Sequence, residues 1–539
     1  MCGLVVLVGL ATPASPSPQA DDSDLVSLAC SIPHDWLLRT WRGWRPDRSG
    51  DIQMIPIEPN FIGSGFPHVG PWDYVQRVPM LWYGPGFIRS QGAVDRPVTT
   101  VGIAPTAASL LRFPFHAVDG SPMTEALLPE DERPRAPKLI VTVIWDAGGR
   151  DVLEANPDAW PYLGSLIPKG TWYENMTVGS SPTSTAQIHA NIGTGAFPNH
   201  HGLVGHRLRI GGKLTTPWGM GPALIVQPTL ADVFDLAMGN EPKAGIVATV
   251  NIHFGMLGHG AFYSGGDADI GTTRSIIGGD TLTDEGFEWN LPGNIAPYYT
   301  LPPYTNDTPG FDHDVRAVDA TDGQIDGKWR DNDIDQLLGG FDTPARIPYQ
   351  ERVLESVIER EGFGADDVPD LLYANFKEID YISHIWTMNS PEMNDAVVAQ
   401  DEALKRLVRY LNSHVGRGEW VLALTADHGA IPDPRISGAF NISSAPIGAG
   451  IEATFDTDGD DSSVVELIQP THVYVDAGEL RQNGGTPEDV ARWIMTLTEG
   501  DTAPPGVTVP PDEVDALVFE AAFPSSLMAD LPCLPEARG

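Results

Sequence analysis

Residues 138–149 read KLIVTVIWDAGG. The first eight are almost wholly apolar, without the alternation of a half-solvated strand, which is the pattern of a strand buried on both faces in a parallel sheet. The run ends in Asp146-Ala-Gly-Gly, setting a carboxylate at the strand's C-terminal edge, where open α/β sheets collect ligands. Downstream, Ser180–His206 (SSPTSTAQIHANIGTGAFPNHHGLVGH) puts the hydroxyls of Thr183, Ser184 and Thr185 ahead of a helix-like segment. One of them can sit at a helix N-terminus, where backbone N–H groups favour a bound anion. A plain N-cap uses the same residue types, and the stretch alone leaves both readings open.

From residue 138 onward strands and helices alternate: strands near 138–145, 245–250, 370–376 and 420–425, helices near 349–361 and 391–414. That alternation implies a mainly parallel sheet covered on both faces. Ahead of it, residues 11–24 read as a linker, 51–58 as a strand that Pro56 would confine to a sheet edge, and 78–83 as another strand. Residues 262–345, rich in Gly, Asp, Asn, Thr and Pro, read as an insertion over the sheet edge or a cap. The acidic run 456–461 (DTDGDD) lacks the Gly and the final Glu of a calcium loop and reads as a solvated turn.

Composition narrows the function classes. The 539 residues suffice for a large core without staples. With 33 Lys+Arg against 72 Asp+Glu, a net charge of −39 repels nucleic-acid phosphates, so polymer binding is not expected, and a phosphate-bearing small substrate would need a compact positive feature such as metal ions. The three cysteines, Cys2, Cys30 and Cys533, offer no C-x-x-C spacing, leaving Asp and His as metal ligands. Leu4–Leu10 is apolar but too short to span a bilayer. It fits a clipped export signal or anchor as well as a frayed terminus, so an extracytoplasmic location, secreted or membrane-anchored, is expected, with the cytoplasm still open.

Two further strand ends carry ligand-type residues. The strand near 371–376 runs into Asp380-x-x-x-His384, whose side chains share a face of a helical turn, and that near 421–425 ends in Asp427-His428-Gly429. Three strand termini thus deliver Asp, Asp/His and Asp/His to one edge, beside a hydroxyl. Mixed Asp/His ligation suits Zn²⁺, with Mn²⁺ and Fe as alternatives.

The order Asp146, Thr185, Thr194-Gly195, Pro198, His201-Gly202, Asp380-x-x-x-His384, Asp427-His428-Gly429 resembles the alkaline phosphatase superfamily, in particular its nucleotide pyrophosphatase/phosphodiesterase branch. The resemblance implies an α/β sandwich with a large, mostly parallel sheet, and Thr185, ten residues before Gly195, as nucleophile. It implies two divalent metal ions, Zn²⁺ by preference: one held by Asp146, Thr185, Asp427 and His428, the other by Asp380, His384 and a further His. The reaction implied is hydrolysis of a small phosphate ester through a phospho-threonine.

Relatives carry that last His downstream, in a context that here only His68-Val-Gly-Pro-Trp-Asp-Tyr…Tyr-Gly-Pro-Gly supplies; His472, the one downstream candidate, lacks it. The resemblance therefore implies a circular permutation. After an N-terminal segment 1–24, a single catalytic domain 25–539 would comprise 25–130, the family's C-terminal portion moved forward, and 138–539 with its insertion. Cys30 and Cys533 then flank the new termini and should lie close, bonded if the compartment is oxidising. Diesterase relatives place an Asn where this chain has His206, which can also donate to a phosphoryl oxygen. The Lys-x-Arg of monoesterase relatives is replaced by Asn251-Ile252-His253, which leaves a dianionic monoester less compensated and favours diesters or pyrophosphates, with a phosphomonoesterase or phosphonate hydrolase of the same superfamily as the alternative. A binding relative that keeps the fold without activity is the reading from another class, and it expects an incomplete ligand set.

Overall fold

In the computed structural model, which describes residues 23–276, 287–338 and 343–538, the main sheet has ten strands. In chain order they are β1 (Met80–Tyr83), β2 (Gly92–Val94), β3 (Leu139–Trp145), β4 (Thr171–Tyr173), β5 (Ala244–Val247), β6 (Asp269–Ile276), β7 (Phe287–Asn290), β8 (Tyr299–Thr300), β9 (Asp370–Phe376) and β10 (Trp420–Thr425). The spatial order is β7-β6-β5-β9-β3-β10-β1-β4-β2, with β8 also on β6. Only β1 and β7 run against the rest. The sheet is thus mixed but mostly parallel, and its strand 139–145 lies at the centre.

The unbroken apolar run of β3 has a direct cause. Leu139, Val141, Val143 and Trp145 enter the core on one face, while Ile140 and Ile144 enter the core on the other. Covering helices are α1 (Thr185–Thr194), α2 (Leu230–Ala237), α3 (Arg346–Glu361), α4 (Glu378–Trp386) and α5 (Pro391–Leu411). Apolar residues of α3, α4 and α5 pack on the first face, those of α1 and α2 on the second. The described part of 262–345 does more than lie over the edge, since β6, β7 and β8 extend the sheet itself and Phe311, Val315 and Trp329 join its core.

A second, antiparallel sheet orders Val465–Gln469, His472–Val475, Ile52–Pro56 and Phe519–Pro524. Pro56 was expected to force its strand to an edge, and instead that strand lies inside this sheet. The His472–Val475 strand pairs only with Ile52 and Gln53, and a bulge falls at Ile55/Pro56, so the missing N–H breaks no ladder bond on that side. This sheet joins the two ends of the chain, and Cys30 and Cys533 are disulfide-bonded with Cα atoms 5.7 Å apart. Reducing this bond, or Cys30→Ser, is expected to lower stability by about 2–5 kcal/mol, read as an earlier urea midpoint. An unmoved midpoint would show that the bond contributes nothing.

No helix among the described residues is long and apolar enough to cross a membrane.

Candidate active site

Three adjacent parallel strands, β9, β3 and β10, are in register so that Phe376 pairs with Trp145 and Thr425 with Ile144. The residues that follow, Lys377, Asp146 and Asp427-His428, therefore emerge side by side at one edge. Strand β1 is antiparallel to β10 with Met80 opposite Thr425, so the residues before β1 arrive at that same edge. That is how His68 reaches a site built from residues hundreds of positions later. Asp380 and His384 sit four apart on α4, which starts at the same edge. The loops are tightly apposed: a Cβ on Gly429 would meet Tyr74 O at 2.2 Å. Ala147 is held at φ 57° beside Asp146, and its N–H donates to Asp427 Oδ1 (3.1 Å).

Two donor sets result. Oxygen or nitrogen atoms of His68, Asp380 and His384 lie within 4.8 Å of one another, as do those of Asp146, Asp427 and His428. His68 Nε2 is 2.8 Å from Asp380 Oδ1 and 3.2 Å from His384 Nε2, and its ring stacks on His428 at 3.7 Å. His428 Nε2 is 3.2 Å from Asp427 Oδ2 and 3.6 Å from Asp146 Oδ1. His472, by contrast, is buried in the second sheet opposite Gln53.

The three hydroxyls separate by their partners. Thr183 donates to His68 O (2.6 Å), and Ser184 donates to Gln187 Oε1. Of the three, Thr185, first residue of α1, is the one whose Oγ1 accepts from Lys377. Gly195 closes α1 in the left-handed conformation (φ 64°), which fixes the helix length behind that hydroxyl.

The residue that sequence reasoning missed is Lys377. Its buried Nζ donates to Asp146 Oδ1 (2.8 Å) and Thr185 Oγ1 (3.1 Å) and is ion-paired with Asp380 Oδ2 at 2.8 Å. Its position one residue beyond β9, in register with Asp146, was the available signal. Behind Asp146, Asn375 donates to Oδ2 (3.1 Å) and His253 Nε2 lies 3.3 Å from it, while His189 Nε2 lies 2.8 Å from Asn375 Oδ1. These fix the carboxylate's orientation, and they place His253 behind Asp146. His206 is exposed, and its ring is within electrostatic range of Lys377, Asp380, His428 and His384.

Charge in this dry pocket is strongly coupled. Burial and the His428 charge depress the His68 imidazole to about 4, so it is neutral and able to ligate at neutral pH. Burial opposes ionisation of Asp380, but Lys377, His384 and His68 outweigh it and hold the carboxyl well below its usual range. Burial would depress His428, but Asp427, Asp146 and Asp380 raise it to about 9. Asp380 Oδ1, Asp427 Oδ2 and His428 Nε2 are buried without a hydrogen-bond partner among the described residues. These three unpartnered atoms, within a cluster of three carboxylates and three imidazoles around one ammonium, fit two divalent cations.

Comparison with known proteins gives the family and the fold. The family model for type I phosphodiesterase / nucleotide pyrophosphatase matches residues 140–503. The chain is 23% identical over 424 residues to alkaline phosphatase PafA of Elizabethkingia meningoseptica, covering 67% of this chain and 73% of that protein. It is 24% identical over 341 residues to alkaline phosphatase PhoV of Synechococcus elongatus, covering 55% of this chain and 60% of that one. The crystal structure of wild-type PafA superposes with a TM-score of 0.53 at 20% identity, over 72% of this chain and 85% of that one, which shows a shared fold. The chain belongs to the type I phosphodiesterase / nucleotide pyrophosphatase family, within the alkaline phosphatase superfamily, and is a hydrolase of the phosphoesterase class.

Proposed function

We propose that this protein hydrolyses phosphodiester or pyrophosphate bonds in small molecules, with Thr185 as nucleophile. The observation that carries the reading is the Thr185 hydroxyl, the one of three that faces the Asp146, Lys377 and Asp380 cluster. Asp146, Asp427 and His428, with Thr185, would hold one divalent cation, and Asp380, His384 and His68 the other. The mixed oxygen and nitrogen donors favour Zn²⁺. Bound cations there supply neutralisation of phosphoryl charge and activation of oxygen nucleophiles.

The chain's own residues do the rest. Thr185 attacks phosphorus from the N-terminus of α1, whose free N–H groups and dipole favour the gathering negative charge. The Thr185 hydroxyl gives its proton to solvent, the P–O bond to the leaving alcohol or phosphate breaks as the Thr185 Oγ1–P bond forms, and the leaving oxygen takes a proton from water. Water then breaks the Thr185 ester and restores the hydroxyl. Lys377 donates a hydrogen bond to Oγ1 and stabilises its deprotonated form, and as an ammonium it cannot be the base. His206, exposed at the site, would donate to a non-bridging oxygen. With no guanidinium at the place of the monoesterase Lys-x-Arg, a singly charged diester is the better match.

One observation favours a second reading. Lys377 brings one positive charge to the reacting centre, so a dianionic monoester would not be wholly uncompensated. The test is turnover of bis-p-nitrophenyl phosphate against p-nitrophenyl phosphate by zinc-loaded protein. A higher diester rate is expected, and Lys377→Ala should reduce monoester turnover more than diester turnover, by roughly 10-fold or more. A wild-type monoester rate above the diester rate would overturn the substrate choice, and turnover of neither would favour the inactive binding relative.

The permutation belongs to the same proposal. The family match begins at residue 140, while the preceding segment supplies both His68 and the strand β1 that borders β10. A disulfide between Cys30 and Cys533 and a ligand that sits close to its set are compatible with an extracytoplasmic metalloenzyme.

A further inference from the structure

At the opposite edge of the sheet, the N-terminal end of β6, three carboxylates converge. Asp235 lies on α2, Asp269 opens β6, and Asp267 precedes it in a Gly265-Gly266 turn. An oxygen from each lies within 4.8 Å of the others. Asp235 is 6% exposed and Asp269 8%, whereas Asp267 is open to solvent. Asp235 Oδ1 is buried and accepts no hydrogen bond from any described residue.

Among the described residues, no basic side chain is paired with Asp235 or Asp269. The groups that act on Asp235 are Asp267 and Asp232, and those that act on Asp269 are Asp232, Asp235 and Asp267, all carboxylates. Asp232 is itself engaged, accepting from Thr229 N–H (2.7 Å) and His259 N–H (2.6 Å) and lying 2.8 Å from His259 Nδ1, so His259 is spent on it. Beside the same turn, Asn240 donates to Gly265 O (2.9 Å) and leaves its own Oδ1 buried and unpartnered. Burial and mutual repulsion push Asp235 up to about 7. Buried like charges persist in a fold only when paired with a cation or protonated.

We infer that Asp235, Asp267 and Asp269 form a site for a hard divalent cation, Ca²⁺ by preference, that ties α2 to β6. All the donors are carboxylate oxygens and one of them, on Asp267, is exposed to solvent, which suits Ca²⁺ rather than Zn²⁺. The site lies at the sheet edge away from the catalytic one, so its effect is on the stability of the β6 end of the sheet.

The experiment is calorimetric titration of the zinc-saturated, full-length protein with CaCl₂, paired with thermal unfolding with and without CaCl₂. Wild type is expected to bind one Ca²⁺ per chain and to melt higher in its presence. Asp267→Asn and Asp267→Ala, changes at an exposed position, should weaken binding by at least about 10-fold and abolish the Ca²⁺-dependent rise. Without Ca²⁺ both should melt no lower than wild type, because a repelling charge is gone. No Ca²⁺ binding by wild type, or binding and melting responses unchanged in both variants, would overturn the site and leave a proton shared among the three carboxyls as its counter-charge.

Discussion

Thr185→Ala is expected to lower kcat/KM on the preferred ester by on the order of 10⁴-fold while the protein still folds. The size follows from the site. Neither neighbouring hydroxyl is free for the role, since Thr183 is bonded to His68 O and Ser184 to Gln187. Neither can take over the attack without leaving a buried partner unsatisfied. The fold should survive because, among the described residues, the one side-chain hydrogen bond of Thr185 is accepted from Lys377, and alanine is a good helix former. Thr185→Ser keeps the oxygen and should retain measurable turnover. An alanine variant within a few-fold of wild type in rate would mean that some other group, or water directly, attacks phosphorus.

His68→Ala is expected to remove about one metal equivalent per chain and to lower turnover by roughly 10²-fold or more. His68 Nε2 is 2.8 Å from Asp380 Oδ1 and 3.2 Å from His384 Nε2, so its loss leaves two protein donors where three converge. His472→Ala serves as the control, because that residue lies in the second sheet and should leave metal content unchanged. Elemental analysis of the three proteins after zinc loading and gel filtration reads the difference. Equal metal content in His68→Ala and wild type would detach the N-terminal segment from the metal site.

Much of this was legible in the sequence, because burial writes itself as pattern. Strands β3, β9 and β10 are buried on both faces and show as continuous apolar runs, and the Asp and His residues directly after them fall at one edge by the geometry of a parallel sheet. Other features were not local. Lys377 after an apolar strand reads as the solvated end of that strand, and only the register with β3 shows its ammonium folded back onto Asp146. His189 and Asn375 likewise read as ordinary helix and strand residues until α1 is set against β9. Pro56 was assigned to an edge by its missing N–H, although what matters is whether a partner strand extends that far, and here it stops at Gln53. Among three neighbouring hydroxyls, residue type alone could not choose. Resemblance pointed to Thr185, and the partners of the other two supply an independent physical reason.

The most direct measurement is mass spectrometry of enzyme quenched in acid during turnover. Covalent attack through Thr185 predicts a peptide spanning residues 180–194 that carries the retained phosphoryl portion of the substrate on Thr185, and its absence from Thr185→Ala. Quenched enzyme that turns over substrate with no such adduct, or with the adduct on another residue, would contradict the account.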